Sequence, residues 1–192
     1  MENLKKIIIF NLILIFCLTA FLKVKASESA NTQLSMAITG RSFSVTAPAT
    51  ATFTGKDFSF DGQTSSGNSI GDIQVEDARG TKVGWNVNIS ATDWSDGSHT
   101  MAYDGNGTTT GQLSLNIPEI SAVTKLAGAD VTGITMGNDD SFDGSFSDIK
   151  LLTAASGAGS GEYNIKGLTA DQFIPGNQNA GTYSTDLTLT IS

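Results

Sequence analysis

From Trp85 to Thr92 apolar and polar residues alternate without a break. Trp85, Val87, Ile89 and Ala91 fall on one side, and Asn86, Asn88, Ser90 and Thr92 on the other. A period of two predicts a β-strand with one face buried and one in water. Arg79, Gly80 and Gly84 precede it and supply the tight turn that delivers the strand. A second stretch of the same kind closes the chain. Tyr183, Leu187, Leu189 and Ile191 share a face, while Thr188 and Thr190 face the other way. The two are expected to be neighbouring strands whose apolar sides seal one interior.

Short alternations recur along the rest of the chain. Leu34, Met36 and Ile38, then Phe43 and Val45, then the runs Ala49–Phe53 and Phe58–Phe60, are separated by Gly40, Pro48, Gly55 and Gly62. Ile70–Glu76 is a further strand and is expected to form a hairpin with the Trp85 strand across the Arg79–Gly84 turn. Thr100–Tyr103, Gln112–Ile117, Val131–Met136, Ile149–Thr153 and Glu162–Lys166 complete the set. Pro118–Ala129 carries two readings: Ile120, Val123 and Leu126 fit helical spacing, yet the segment is short and uncapped. Gly137–Asp148 reads as an acidic loop. Many short strands with turn residues at close intervals predict an all-β fold: an antiparallel β-sandwich, or a partly open barrel, in a single domain.

Residues 1–26 change the picture at the N-terminus. Lys5 and Lys6 precede an apolar run from Ile7 to Leu22, and Val24-Lys25-Ala26 places small residues before Ser27. This is the pattern of a secretory signal peptide, with the domain at 27–192. The run is shorter than the roughly 20 residues a spanning helix needs. The one cysteine, Cys17, lies inside that leader, so no disulfide or thiolate site is expected beyond it. Four lysines and one glutamate also lie there, so cleavage moves the net charge from −8 to −11. Such a chain is repelled by phosphate backbones and anionic lipid, which argues against nucleic-acid and membrane partners.

Three motifs occur in order. The run Ile73-Gln-Val-Glu-Asp-Ala-Arg-Gly-Thr-Lys-Val-Gly-Trp-Asn-Val87 resembles the first signature of WxL-domain proteins, where an Asp-x-Arg-Gly turn leads into a Gly-Trp-x-Leu or Gly-Trp-x-Val strand. Leu151–Tyr163 resembles that family's glycine-rich middle segment, and Gly181–Ser192 is similar to its terminal strand. The resemblance runs from about Thr32 to the C-terminus. Two departures mark it: the first Trp-x-Leu reads Trp85-Asn86-Val87, and the second reads Leu189-Thr190-Ile191, with its tryptophan replaced. The resemblance implies a β-rich, secreted protein of the Gram-positive cell surface, bound non-covalently to peptidoglycan, often with partner surface proteins from the same gene cluster.

The candidate binding residues are Trp85, Val87, Trp94, Tyr103, Tyr163, Tyr183 and Leu189. Trp85, Val87, Tyr183 and Leu189 sit on one-sided strands, where burial is the ordinary fate of an apolar face. Trp94, Tyr103 and Tyr163 stand at strand ends beside polar loops, so they are the better candidates for a wall contact. His99 is the only histidine, and no nucleophile–histidine–carboxylate trio can be built on it. Asp139, Asp140, Asp143 and Asp148, and the loop from Asp104 to Thr108, lack the twelve-residue calcium spacing with its closing glutamate. Gly157, Gly159 and Gly161 mimic part of a dinucleotide fingerprint, but no helix follows. No cofactor, metal or catalytic activity is expected. The sequence reading is a secreted, non-catalytic binder of the cell wall; the alternative is a structural subunit of a multi-protein surface complex.

Overall fold

Most of the alternating segments become strands, and every ladder among the described residues is antiparallel. The computed structural model describes residues 2–3, 5–9, 11, 33–105, 111–143 and 148–192. The chain divides into two units, Met1–Ala37 and Ile38–Ser192. In the first, the described residues between 2 and 11 are helical. Lys6 pairs with Glu2 one turn away at 3.6 Å. Most of the expected leader, with Cys17 and the cleavage site at Ala26, lies outside the described residues. Among those described, no helix is long and apolar enough to cross a membrane.

The second unit is all-β. Its strands are β1 (Phe43–Thr46), β2 (Gln63–Ser69), β3 (Ile73–Asp77), β4 (Trp85–Ala91), β5 (Trp94–Ser95), β6 (Thr100–Met101) and β7 (Gln112–Asn116). They continue with β8 (Val123–Gly128), β9 (Ile134–Met136), β10 (Asp140–Ser141), β11 (Asp148–Ala154), β12 (Gly161–Ile165), β13 (Thr169–Ile174) and β14 (Leu187–Ile191). Three four-stranded sheets run in the orders β1-β3-β12-β8, β10-β7-β13-β2 and β14-β4-β11-β9, and β5-β6 form a small ribbon. No sheet closes into a barrel among the described residues.

β4 and β14 are neighbours, as their matching patterns predict. Leu187 stands opposite Ala91, Leu189 opposite Ile89 and Ile191 opposite Val87. Trp85, Val87 and Ile89 are buried, and Leu187, Leu189 and Ile191 pack against the same core from the sheet edge. On the other side of β4, a bulge in β11 between Lys150 and Leu152 breaks the alternation. The bulge puts an extra residue into β11, so Leu151 and Leu152 are both fully buried. One core cluster draws from all three larger sheets: Ile73, Val75, Tyr163 and Ile165 from the first, Leu113, Leu115 and Ala170 from the second, Val87 and Ile89 from the third. Each fully buried aliphatic side chain contributes about 1.5–3 kcal/mol.

Several expectations fail. β3 does not form a hairpin with β4; it pairs with β1 and β12 in another sheet. The reason is the turn itself. Asp77 accepts from the Arg79 Nε at 2.9 Å and Nη2 at 3.1 Å, and the same Nη2 donates to the Gly84 carbonyl at 3.2 Å. The guanidinium also lies 4.2 Å from the Phe43 ring centroid. This clamp carries the chain out of one sheet and into another. Leu34–Ile38, Ala49–Phe53 and Phe58–Phe60 form no strands. Strands are also present where none is expected, at β2, β5, β10 and β13. β2, Gln-Thr-Ser-Ser-Gly-Asn-Ser, has no apolar residue at all and is held against β13 with Ser65 and Asn68 buried. β13 itself was also missed. Within Pro118–Ala129, a 3-10 turn at Ile120–Ala122 gives way to β8. The expected acidic loop contains β10, and its Phe142 is fully buried.

Candidate functional site

A cleft of about 490 Å³ opens between the β5–β6 ribbon, the end of β13 and the loops 53–59 and 175–183. Its wall includes Phe53, Phe58, Trp94, Met101, Gln178 and Tyr183. Each is placed by a local device. Trp94 is buried and packs edge-on against Phe53, with centroids 5.0 Å apart. Its indole Nε1 donates to Gln172 Oε1 at 2.7 Å, and Gln172 Nε2 donates to the Phe173 carbonyl at 2.7 Å. A buried indole N–H needs such a partner, and here β13 supplies it. The ring's orientation is therefore fixed by the neighbouring sheet.

Tyr183 is held by its hydroxyl. Gln178 Nε2 donates to it at 2.8 Å, and it donates to the Asn179 carbonyl at 3.0 Å. The opposite rim is the loop 53–61. Thr54 N donates to Asn68 Oδ1 at 2.7 Å, Ser65 Oγ donates to the Thr54 carbonyl at 2.7 Å, and Gln63 Nε2 donates to the Asp57 carbonyl at 2.6 Å. The polar strand β2 thus exists partly to hold this loop through its side chains. Farther along, Asn177 N donates to the Ser59 carbonyl at 2.9 Å, and a Cβ on Gly176 would lie 2.3 Å from the Phe60 carbonyl. The loop is pinned at both ends while Phe58 and Phe60, edge to face at 5.2 Å, remain 55% and 78% exposed.

Exposed phenyl rings on a pinned loop, above a cleft of hydroxyls and neutral amides, can pack against apolar ring faces and hydrogen-bond to hydroxyl or amide groups. Lys56 and Asp57 are the charged residues lining the cleft. Beside it, Asp96 shapes the turn between β5 and β6. The His99 ring nitrogen 3.0 Å away, helped by the backbone N–H groups of His99 and Ser98, draws the Asp96 carboxyl down to about 2. A Cβ on Gly181, in the cleft wall, would meet Asp96 Oδ2 at 2.4 Å, so this turn abuts the site.

The chain matches no family model, no curated protein and no solved structure. The cleft has therefore to be read from its own residues.

Of the seven candidate residues, the structure brings Trp94 and Tyr183 together in this cleft. The other five lie elsewhere. Trp85 is 3% exposed and Val87 is fully buried. The Trp85 Nε1 donates to the Gly159 carbonyl at 2.9 Å, and its ring sits between Phe43 and Tyr163. Tyr163 is also fully buried, with its hydroxyl donating to the Ala129 carbonyl at 3.1 Å. It has no surface to offer a ligand, because β12 is an inner strand bonded on both sides. Burial raises its phenol above the usual value, and the charges of Asp130 and Asp77 act the same way. Tyr103 packs on Phe142 at 5.4 Å. Leu189 belongs to β14, on the core side.

The residues that sequence reasoning missed are Phe53, Phe58, Gln63, Gln172, Gln178 and Asn179. The alternation places Phe58–Phe60 in a short strand, whereas the structure places it in a loop. The signal that separates the two readings is Gly62 and Pro175–Gly176 flanking them at the same end of the fold, which only pairing shows. Among the described residues no group of three or more His, Cys, Asp or Glu side chains is placed to hold a metal ion. Ile117 N donates to Asp139 Oδ1 at 2.6 Å, so that carboxylate serves the local backbone.

Proposed function

We propose that this protein is a secreted, non-catalytic binder of the bacterial cell surface that holds a wall polymer in the Trp94–Tyr183 cleft. The observation that carries the reading is the exposed Phe58–Phe60 pair on its pinned loop above that cleft. Neutral amide and hydroxyl groups beside aromatic rings suit a sugar bearing hydroxyls and acetamido groups. The chain's net charge of −8 disfavours a polyphosphate chain by like-charge repulsion, which favours the glycan strands of peptidoglycan. The resemblance to WxL-domain proteins supports the same destination. Each contact in so open a cleft is weak, and attachment then comes from many equivalent sites on one polymer.

The test is co-sedimentation of the purified protein with isolated Gram-positive walls, before and after removal of phosphate-bearing polymers. Binding that survives their removal and falls at least tenfold in Phe58→Ala supports the reading. Binding lost with those polymers, or unchanged in Phe58→Ala, overturns it. Binding that appears only when another surface protein is added would instead favour a structural subunit.

A further inference from the structure

The segment Gln33–Thr39, Gln-Leu-Ser-Met-Ala-Ile-Thr, has the alternation of a one-sided strand but enters no ladder. Leu34, Met36 and Ile38 are 90%, 85% and 88% exposed. Three large apolar side chains at a spacing of two, all in water, are a strand without a sheet. The fold also has a sheet without a last strand. β14 is bonded to β4 on one side, and β1 approaches it without a ladder. Ser192 and Asn86 exchange both backbone hydrogen bonds, and the Asp186 carbonyl receives Thr92 N. By alternation, the N–H and C=O groups of Leu187, Leu189 and Ile191 point away from β4, toward the open edge.

We propose that Gln33–Thr39 of one copy adds as a strand to the β14 edge of a second copy. The two patterns fit. With Leu34, Met36 and Ile38 on the side of Leu187, Leu189 and Ile191, the exposed row covers the half-buried one. Ser35, Ala37 and Thr39 then continue the polar face of Thr188 and Thr190. Charge permits it as well. Neither Gln33–Thr39 nor Leu187–Ile191 carries a charged residue, so the contact avoids the repulsion that a strongly acidic chain otherwise meets with itself. Most other edges are guarded, and the remaining one, β1, has only four residues. β8 carries Lys125, β2 is occupied through Ser65 and Asn68 by the loop at Thr54, and β9 and β10 have three and two residues. β14 has neither lysine nor proline, the usual protections of an exposed edge. Seven residues at about 3.3 Å each span about 23 Å, more than enough for a five-residue acceptor. Reciprocal exchange places two such strands in one two-fold dimer. That brings the buried area toward the roughly 1,200–2,000 Å² of stable interfaces, which one strand alone does not reach.

The test uses the full chain with Cys17→Ser, so that introduced thiols stand alone. One preparation carries Ala37→Cys, a second Thr190→Cys on β14, and a third Leu126→Cys on β8. Mixed under mild oxidation, the first and second are expected to form a covalent heterodimer at least tenfold faster than the first and third. Sedimentation of the unmodified chain is expected to show a dimer that Met36→Asp weakens at least tenfold, and an exposed Met36 makes this variant neutral for folding. A monomer at about 100 μM, equal cross-linking to β8, or preferential Ala37→Cys self-linking would overturn the proposal. None of these outcomes depends on wall binding.

Discussion

The two tryptophans teach what the fold does with the same side chain in two settings. Trp85 lies mid-sheet, sealed by Phe43 and Tyr163, with its N–H given to the Gly159 backbone. A Cβ on Gly159 would lie 2.6 Å from the indole Nε1, and that residue holds φ of 73°. Only glycine allows the approach. Trp94 is nearly as buried, yet its partner is a side chain, Gln172, and its ring borders the cleft. The tryptophan locked on backbone builds the interior here, and the one locked on a side chain borders the site. Replacing each in turn separates stability from binding.

The largest effect is expected at Trp85. Trp85→Ala removes the hub of Phe43, Tyr163 and Gly159 contacts, and should cost about 3–5 kcal/mol in denaturant unfolding. If it costs less than about 1 kcal/mol, the division between the two aromatic regions fails.

Next comes the clamp below it. Asp77 is 1% exposed and Arg79 is its partner. Arg79→Ala leaves a buried carboxylate unpaired and should cost about 3 kcal/mol at pH 7. The hydrogen bonds from the Arg79 side chain hold the Asp77 carboxyl below its ordinary 3.8, against the opposing effect of burial. A depressed carboxylate stabilises the fold above its unfolded-state value and loses that contribution as pH falls through its folded value. The gap between wild type and Arg79→Ala is therefore expected to narrow below about pH 4. Unfolding free energies measured from pH 7 to pH 2.5 check this; a constant gap would refute it.

On the other side of the comparison, Phe58→Ala should leave stability within about 0.5 kcal/mol, as for an exposed residue. It should weaken wall binding on the order of tenfold, as loss of a central aromatic anchor does. Smallest is Tyr183→Phe. It removes one hydroxyl that accepts from Gln178 and donates to Asn179. A change of about 1 kcal/mol is expected, seen as a loosened cleft rim in hydrogen exchange at 178–183 and a few-fold loss of binding. An unaltered exchange pattern would mean that the hydroxyl does not hold the rim.

The strands legible in the sequence are those that alternate: β3, β4, β7 and β14 place their more buried residues at every second position, and the period of two records it. The pairing of β4 with β14 was legible too, because both carry a one-sided apolar row. β2 was not legible, since Gln63–Ser69 has no apolar row and is a strand only because β13 lies beside it and Asn68 donates to the Ala170 carbonyl. The Asp77–Arg79 turn was visible as a motif, but its effect, sending β3 and β4 into different sheets, was not. A short turn between two strands ordinarily makes a hairpin, and only the bidentate pair and the Phe43 contact override that.

What the sequence determined by itself is the all-β class, the acidic charge and the one-sided central strands, because these follow from local periodicity and composition. The tertiary structure alone decided the cleft. Trp94, Phe58 and Tyr183 are far apart along the chain; Trp94 is oriented by Gln172 and the Phe58 loop is pinned by Asn177, both from distant segments, while Tyr183 is held within its own loop by Gln178. No local pattern records such a meeting, because the side chains that hold the cleft are polar and leave no periodic trace.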